Sequence, residues 1–304
     1  MAISRAQLVK ELEPGLNALF GLEYKRYENQ HAEIYTTESS DRAFEEEVML
    51  SGFANAQVKV EGSGVSFDQA QETYTARYTH DTIALAFAIT EEAIEDNLYD
   101  RIASRYTKAL ARSMSNAKQV KAVTPLNNGL SSVATFNSGD GVSLFSTNHT
   151  TVSGTAVKNT LTTQADLNET SLEQALIDIS AMTDERGLRV AARGVKMIIP
   201  SANQFNAERL MKSQGRTGTA DNDINAVASM GMIPQGYRVN NFLTDTDSWY
   251  IITDVPNGMK LFQRAALKTA MEGDFDTGNV RYKARERYSF GVSDYRGIFG
   301  VEGA

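Results

Sequence analysis

"HDTIALAFAITEEAIEDNLYDRI", residues His80 to Ile102, changes its hydrophobic rhythm at Thr90. Before that point Ile83, Leu85, Phe87 and Ile89 alternate with Ala84, Ala86 and Ala88, the period of two of a strand, with both faces dry and one of them thin. After it the large apolar residues Ile94, Leu98, Ile102, Tyr106, Leu110 and Met114 fall at every fourth position, and the Thr90 hydroxyl is placed to cap a helix start. A strand is therefore expected to run without a linker into a long helix ending at about Val123, ahead of Pro125. With roughly 3.6 residues per turn, a strict four-residue repeat drifts by ~40° per step and winds through ~200°, so no single flat partner covers it.

Upstream, "VKVEGSGVSFDQAQETYTARYTHDT" gives two strand-like runs around Gly62, Ser63 and Gly64. Tyr74, Ala76 and Tyr78 alternate there against Thr73, Thr75, Arg77 and Thr79, the pattern of a long polar hairpin. One strand from Gln71 to Ile89 would cover ~60 Å at ~3.3 Å per residue, and the helix adds ~50 Å, whereas a compact chain of this length has a radius of gyration of ~19 Å. Part of the molecule is expected to project. Residues 1–45 read as an arm: a short amphipathic helix through Leu8 and Leu12 broken at Pro14, then a polar, acidic stretch without a core of its own.

Downstream, the Ser/Thr/Gly/Asn-rich stretch 126–167 reads as an insertion of loops and short strands. Thr170 or Ser171 is expected to cap a helix with Leu172, Leu176, Ile179 and Met182 on its core face, closed near Gly187. "VKMIIP" is a buried strand stopped by Pro200, followed by a helix from Ser201 to about Lys212 containing Phe205, Leu210 and Met211. "QGYRVNNFLTDTDSWYIITDV" and "MKLFQ" supply further strands, so residues 168–272 form a compact α+β unit. The terminal "NVRYKARERYSFGVSDYRGIFGVEG" alternates at Val280, Tyr282, Ala284, Glu286 and Tyr288. With five basic and three acidic residues it is locally cationic and suited to an acidic neighbour.

Composition narrows the function. The 304 residues are 41% hydrophobic and 22% charged, enough for one large domain or two ordinary ones. No cysteine is present, which removes disulfides, thiolate metal sites and cysteine nucleophiles. The start lacks a signal-peptide apolar core, and no window approaches the ~18 apolar residues of a membrane span, so a cytoplasmic site of synthesis and no membrane partner are expected. A net charge of −8 repels nucleic acid unless a local patch overrides the average. Glu91, Glu92, Glu95, Asp96 and Asp100 open the long helix, and Arg101, Arg105, Lys108, Arg112, Lys118 and Lys121 follow, a segregation that matches the helix dipole. Without a base-reading pattern this face reads as solvated or subunit-pairing.

Catalytic and ligand motifs fail on inspection. His31, His80 and His149 show no metal-ligand spacing, and His149 in "LFSTNHTTVSGT" has no nucleophile elbow to serve. "DNDIN" at Asp221 imitates a calcium loop, but Ala226 replaces its glycine and Met232 its bidentate acid. "GDGVSL" lacks the third glycine of a dinucleotide fingerprint, and no phosphate loop exists. No catalytic residue, cofactor or metal is expected. Lys59 near the hairpin tip is a solvated lysine before it is an isopeptide donor.

The order of acidic arm, hairpin with "KVEGSGVSFD", strand ending "FAITEEAIEDNLYDRI", acid-to-basic helix, α+β unit and returning "YSFGVSDYRGIFG" resembles the major capsid protein of tailed DNA bacteriophages, an α+β protein of the Hong Kong 97 type. The similarity covers nearly the whole chain. "EG…F…Y…F.ITEEAIEDN.Y" and "LFSTNHTTVSGTAVKN" look especially like the branch of the Mu-type major head subunit.

The resemblance implies an N-terminal arm (1–45), an extended loop laid across an adjacent subunit (46–89), a peripheral domain with the spine helix (90–125 and 273–304), and an axial domain (126–272). It implies hexamers and pentamers closing into an icosahedral shell around double-stranded DNA, weakly touched by an acidic wall, with no enzyme activity. A separate scaffolding protein is expected because Met1 opens directly into the arm; a portal and a cement protein complete the implied partners. Assembly-contact residues are Lys59, Glu61, Gly62, Ser63, Gly64, Phe67, Tyr74, Arg77 and Tyr78 on the hairpin, and Glu91, Glu92, Glu95, Arg101 and Arg105 on the helix. The lysine, asparagine and glutamate of the family's crosslink are not matched. Two other readings keep a place: an encapsulin-like compartment, and a Ser/Thr-rich hydrolase or carbohydrate-binding protein with its site in 126–166.

Overall fold

The computed structural model describes residues 5–90, 92–93, 99–131, 139–216, 223–274 and 278–303. In chain order these form α1 (Arg5–Arg26), β1 (Thr36–Ser39), β2 (Phe44–Leu50), β3 (Glu72–Thr79), β4 (Asp81–Ile89), α2 (Tyr99–Asn127), β5 (His149–Thr150) and β6 (Ala156–Val157). There follow α3 (Glu169–Ser180), β7 (Gly194–Ile199), α4 (Gln204–Lys212), α5 (Ala226–Met230), β8 (Tyr237–Val239), β9 (Trp249–Thr253), β10 (Met259–Gly273), β11 (Val280–Val292) and β12 (Ile298–Val301). Two four-stranded sheets carry the fold, ordered β1-β10-β11-β4 and β12-β9-β7-β8, and β2 and β3 pair as a separate hairpin.

The first sheet is built by the alternation of β11, which buries Tyr282, Ala284, Glu286 and Tyr288 on one face. Against that face lie Leu16 and Phe20 of α1, and Ala103, Leu110, Ala111 and Met114 of α2. The helix stripe therefore runs through Ala103, Thr107, Leu110 and Met114 at mixed three- and four-residue spacing, and Tyr106 is turned outward, 54% exposed. The winding of a strict four-residue repeat is the reason. Ile94 and Leu98 lie outside the described residues. The Thr90 cap forms: Ala93 N–H donates to Thr90 Oγ1 at 3.4 Å.

Both prolines expected to stop helices are passed. α1 continues through Pro14 and α2 through Pro125. An interior proline costs about 3 kcal/mol, but Leu16 and Phe20 are buried beyond the first, and Leu126 beyond the second. Near the end of α2, Tyr35 Oη donates to Ala122 O at 2.6 Å and Tyr250 Oη to Leu126 O at 3.2 Å, so tertiary donors satisfy late carbonyls.

The strand expected to run unbroken to Ile89 is two strands. It divides at His80, β3 pairing with β2 and β4 with β11. The alanine face of β4 is not dry either: Ala84, Ala86 and Ala88 are exposed, because β4 is an edge strand and the helices cover only the opposite side.

Around the second sheet, Leu172, Leu176 and Ile179 of α3, Leu210 of α4 and Val227 of α5 enclose Met197, Trp249, Ile251 and Phe299. Asn168, not Thr170 or Ser171, caps α3; its side chain accepts the Ser171 N–H while Ser171 Oγ accepts the Asn168 N–H. The helix ends at Ser180, seven residues before Gly187. Phe205 on α4 points to solvent. The two sheets exchange strands, since β10 lies in the first and β12 in the second.

The stretch read as an insertion is woven into the interior: Leu144 and Phe145 join a third cluster with Leu126, Tyr250, Leu261, Tyr288 and Ile298, and Val157 and Leu161 join the core of the second sheet. Among the described residues no helix is long and apolar enough to cross a membrane, and no His/Cys/Asp/Glu group is arranged to hold a metal.

Candidate assembly interface

The hairpin follows from its alternating polar ladder. Glu45 pairs with Tyr78, Glu47 with Ala76 and Val48 with Thr75, and the ladder closes where Ser51 N–H donates to Gln71 O at 2.9 Å. Beyond Gly52, residues 53–71 are all exposed. Ala54 N–H reaches Asp68 Oδ2 at 2.7 Å, and Ser63 N–H closes on Val60 O at 3.1 Å around Gly62, whose φ of +79° is a glycine conformation. Lys59, Glu61, Ser63 and Gly64 sit on this tip, and Phe67 and Val58 on it are 97% and 94% exposed. An apolar ring left in water forgoes roughly 2 kcal/mol of burial free energy, which covering this tip would recover. Arg186 steadies the stem, donating to Gln69 O at 2.6 Å and to Asp68 Oδ1 at 3.3 Å.

The root is fixed by charge and aromatic packing. Lys260 Nζ lies 3.0 Å from Glu38 Oε1 and also contacts Glu47, which bonds Ser293, which in turn meets the Tyr78 hydroxyl. Burial opposes the charge on Lys260, but the two carboxylates outweigh it and hold the ammonium above its ordinary pKa. Tyr78 is 3% exposed and meets the Phe262 ring edge-on at 4.8 Å. A Cβ at Gly291 would stand 2.4 Å from the Tyr78 ring, so glycine is what lets the strand approach.

At the corner between the two strands His80 is buried, Nε2 2.9 Å from Ser40 Oγ and Nδ1 2.9 Å from Ser289 Oγ. Ser40 donates its hydroxyl proton to Glu45 Oε1 at 2.7 Å, so Nε2 carries the hydrogen and Nδ1 accepts from Ser289. Burial and the nearby Arg287 push this imidazole below its ordinary pKa.

The expected contact residues thus separate. Tyr78, and Tyr74, which packs against the second core beneath Gly139, root the hairpin in its own subunit. Arg77 faces outward over Phe44 at 4.0 Å, 3.7 Å from Glu46. Glu92 and Arg105 are exposed, whereas Glu91, Glu95 and the side chain of Arg101 lie outside what is described.

Two internal clamps were not expected. Lys118 is no solvated lysine: it pairs with buried Glu286 at 3.2 Å under the Tyr288 ring. Burial raises the Glu286 pKa, with Lys118 opposing it. The sequence signal was Glu286 falling in phase with Tyr282, Ala284 and Tyr288. His149 is a wedge, stacked on Tyr295 at 3.9 Å, with Nδ1 2.5 Å from Asp140 and Nε2 3.1 Å from Asn159 Oδ1. Asn159 Nδ2 points at the carbonyls of Leu144, Tyr295 and Ile298 at 2.7, 3.1 and 3.3 Å. Nothing in a Ser/Thr/Asn-rich loop singles out that asparagine.

A projecting hairpin rooted beside a helix-backed sheet, with a second α+β unit behind, is the fold of the Hong Kong 97 type. The chain belongs to the phage capsid protein family, whose model matches residues 73–301, and it is a structural major capsid protein of the virion. Comparison with curated proteins gives no match.

Solved structures agree on the fold. The virus-like particle from Pyrococcus furiosus is 10% identical, with 94% of this chain and 98% of that one covered at a TM-score of 0.55. The procapsid of bacteriophage JBD30 is 14% identical, with 99% and 77% covered at 0.55. The capsid of Myoviridae phage XM1 is 10% identical, with 89% of each chain covered at 0.53.

Proposed function

We propose that copies of this chain form hexamers and pentamers that close into an icosahedral shell around double-stranded phage DNA, with each hairpin laid across an adjacent copy. The observation that carries this reading is the hairpin tip, where Phe67 and Val58 are almost wholly exposed and have no cover within the subunit. The chain works by assembly and not by catalysis. The functional division follows residues 1–45 as arm, 46–89 as extended loop, 90–125 with 273–304 as peripheral domain and 126–272 as axial domain; β10 and β12 tie the last two together. A scaffolding protein, a portal and a cement protein are the partners, assembly takes place in the host bacterial cytoplasm, and "LFSTNHTTVSGTAVKN" supports a place in the Mu-type branch.

Negative-stain microscopy and sedimentation of the protein expressed with and without its scaffold test this directly. Closed shells holding DNA in infected cells are the expected result. A stable monomer at all concentrations would overturn it, and shells that hold a protein cargo instead of DNA would move the chain to an encapsulin-like compartment.

A further inference from the structure

The arm of the hairpin that leads into β3 touches its own subunit at three heights. Tyr78 sits at the root against Phe262 and Ser293, Tyr74 packs a step higher against the second core, and Gln69 with Asp68 is met higher still by Arg186. Arg186 stands on a turn built to be stiff. Asp184 Oδ1 accepts the Arg186 N–H at 2.9 Å and the Leu188 N–H at 2.7 Å, and Gly187 takes a φ of +84°. Met182 O and Glu185 O accept the Val190 and Ser153 N–H groups at 3.1 and 3.0 Å. The two charged neighbours on this turn face opposite ways. Glu185 reaches inward to buried Arg296 at 2.6 Å, and Arg186 reaches outward, donating to Gln69 O at 2.6 Å and to Asp68 Oδ1 at 3.3 Å. Asp68 Oδ2 accepts the Ala54 N–H at 2.7 Å from the other arm, so one guanidinium holds both arms at the neck.

We propose that Arg186 is a positioning clip that fixes the resting direction of the hairpin in the free subunit, and that shells form fast only when the clip is closed; the inference rests on the shell reading and concerns the subunit before it meets a neighbour. The clip prepares the hairpin and does not restrain it, because Phe67 and Val58 remain 97% and 94% exposed with the clip closed. Residues 53–67 are exposed throughout, so a hairpin left unclipped at its neck would lose its freedom of direction only at the moment of contact. Fixing the direction beforehand removes that entropic cost from association. The planar guanidinium spans a carbonyl and a carboxylate together, which the point charge of a lysine does not reproduce. Arg186 Nε is buried without a partner among the described residues, so the stiff turn, and not a full set of hydrogen bonds, is what places this side chain.

The absence of cysteine lets labels be placed at will. Lys59→Cys on the tip and Ile177→Cys on α3, both exposed, are spin-labelled in unassembled protein, and their separation is read by double electron–electron resonance. A narrow distance distribution is expected with Arg186 in place. It should be at least twice as wide with Arg186→Ala and intermediate with Arg186→Lys, at a nearly unchanged thermal midpoint, since a partly exposed ion pair adds little stability. In unlabelled protein Arg186→Ala should slow the appearance of shells in light scattering at least fivefold, and joining Gln69→Cys to Arg186→Cys with a short bis-maleimide should restore the wild-type rate. An unchanged distribution in Arg186→Ala overturns the clip whether or not shells form. A widened distribution with shells appearing at the wild-type rate, or faster, overturns its part in assembly. Wild-type protein that forms no shell under any condition removes the shell reading instead, and the distance widths then decide the clip alone.

Discussion

Residues 51–71 and 139–167 look alike on paper, both with several glycines and serines and poor in regular structure, yet they meet opposite fates. The first projects with every residue from Phe53 exposed, while the second buries Leu144, Phe145, Leu161 and Leu167 and threads between two cores. The difference lies in where the backbone polar groups find partners. In the hairpin the peptide groups beyond the Ser51–Gln71 closure lie at the exposed surface, where solvent can satisfy them. In the second stretch Asn159 is the hub: its amide serves three carbonyls, its Oδ1 accepts the Ser146 N–H at 2.9 Å, and its own carbonyl accepts the Gly300 N–H at 3.0 Å. Irregular chain can be interior when one side chain answers for its peptide groups. One stretch lies open at the surface and the other is built into the subunit, and that division can be pressed experimentally.

The largest expected effect separates assembly from stability. Replacing residues 54–68 by an Asn-Gly turn should abolish shells in sedimentation while moving the thermal midpoint by no more than a few degrees, as changes at exposed positions ordinarily do. A large loss of midpoint would show that the tip supports its own subunit after all.

At the other pole, Asn159→Leu should cost about 3–5 kcal/mol in urea unfolding, because several buried groups lose their partner together. A loss below about 1 kcal/mol would mean that water replaces the amide and that the contrast is weaker than drawn.

Lys118→Met should cost about 3 kcal/mol by leaving Glu286 buried without its cation, and adding Glu286→Leu should return most of that loss. Independent additive effects in the double variant would deny the coupling.

The smallest effect is a pH dependence in the subunit body. Burial and the nearby Lys118 lower the His31 pKa to about 4, below the ordinary 6.5. Between those values the unfolded chain binds the proton and the folded one does not, so stability falls as pH is lowered from 6.5 towards 4. Glu286, with its pKa raised, contributes with the opposite sign. His31→Gln should flatten the wild-type fall in urea midpoint across this window; an unchanged slope would assign it elsewhere.

How much of this was legible varies by element. The alternation of β11, the core face of α3 and the capping threonine were readable because local periodicity already encodes them. Both helix ends at prolines were misplaced, because the penalty is local and visible whereas the buried residues beyond it, and Tyr35 and Tyr250 reaching from far along the chain, are not. Of the expected contact residues, those on the tip are exposed, as their polar, glycine-punctuated sequence leads one to expect. The inward turn of Tyr74 and Tyr78 depended on Gly139, Phe262 and Ser293, remote in sequence.

By itself the sequence determined the rhythm of each segment, the need for something to project, and the absence of any thiol, since these follow from residue type and near-neighbour spacing. Only the tertiary structure decided that the strand breaks at His80, that Lys118 and Glu286 meet 168 residues apart, and that Glu185 turns inward to Arg296 while Arg186 beside it reaches out to the hairpin. Those outcomes depend on which distant surfaces compete to bury the same face, and no local spacing records that competition.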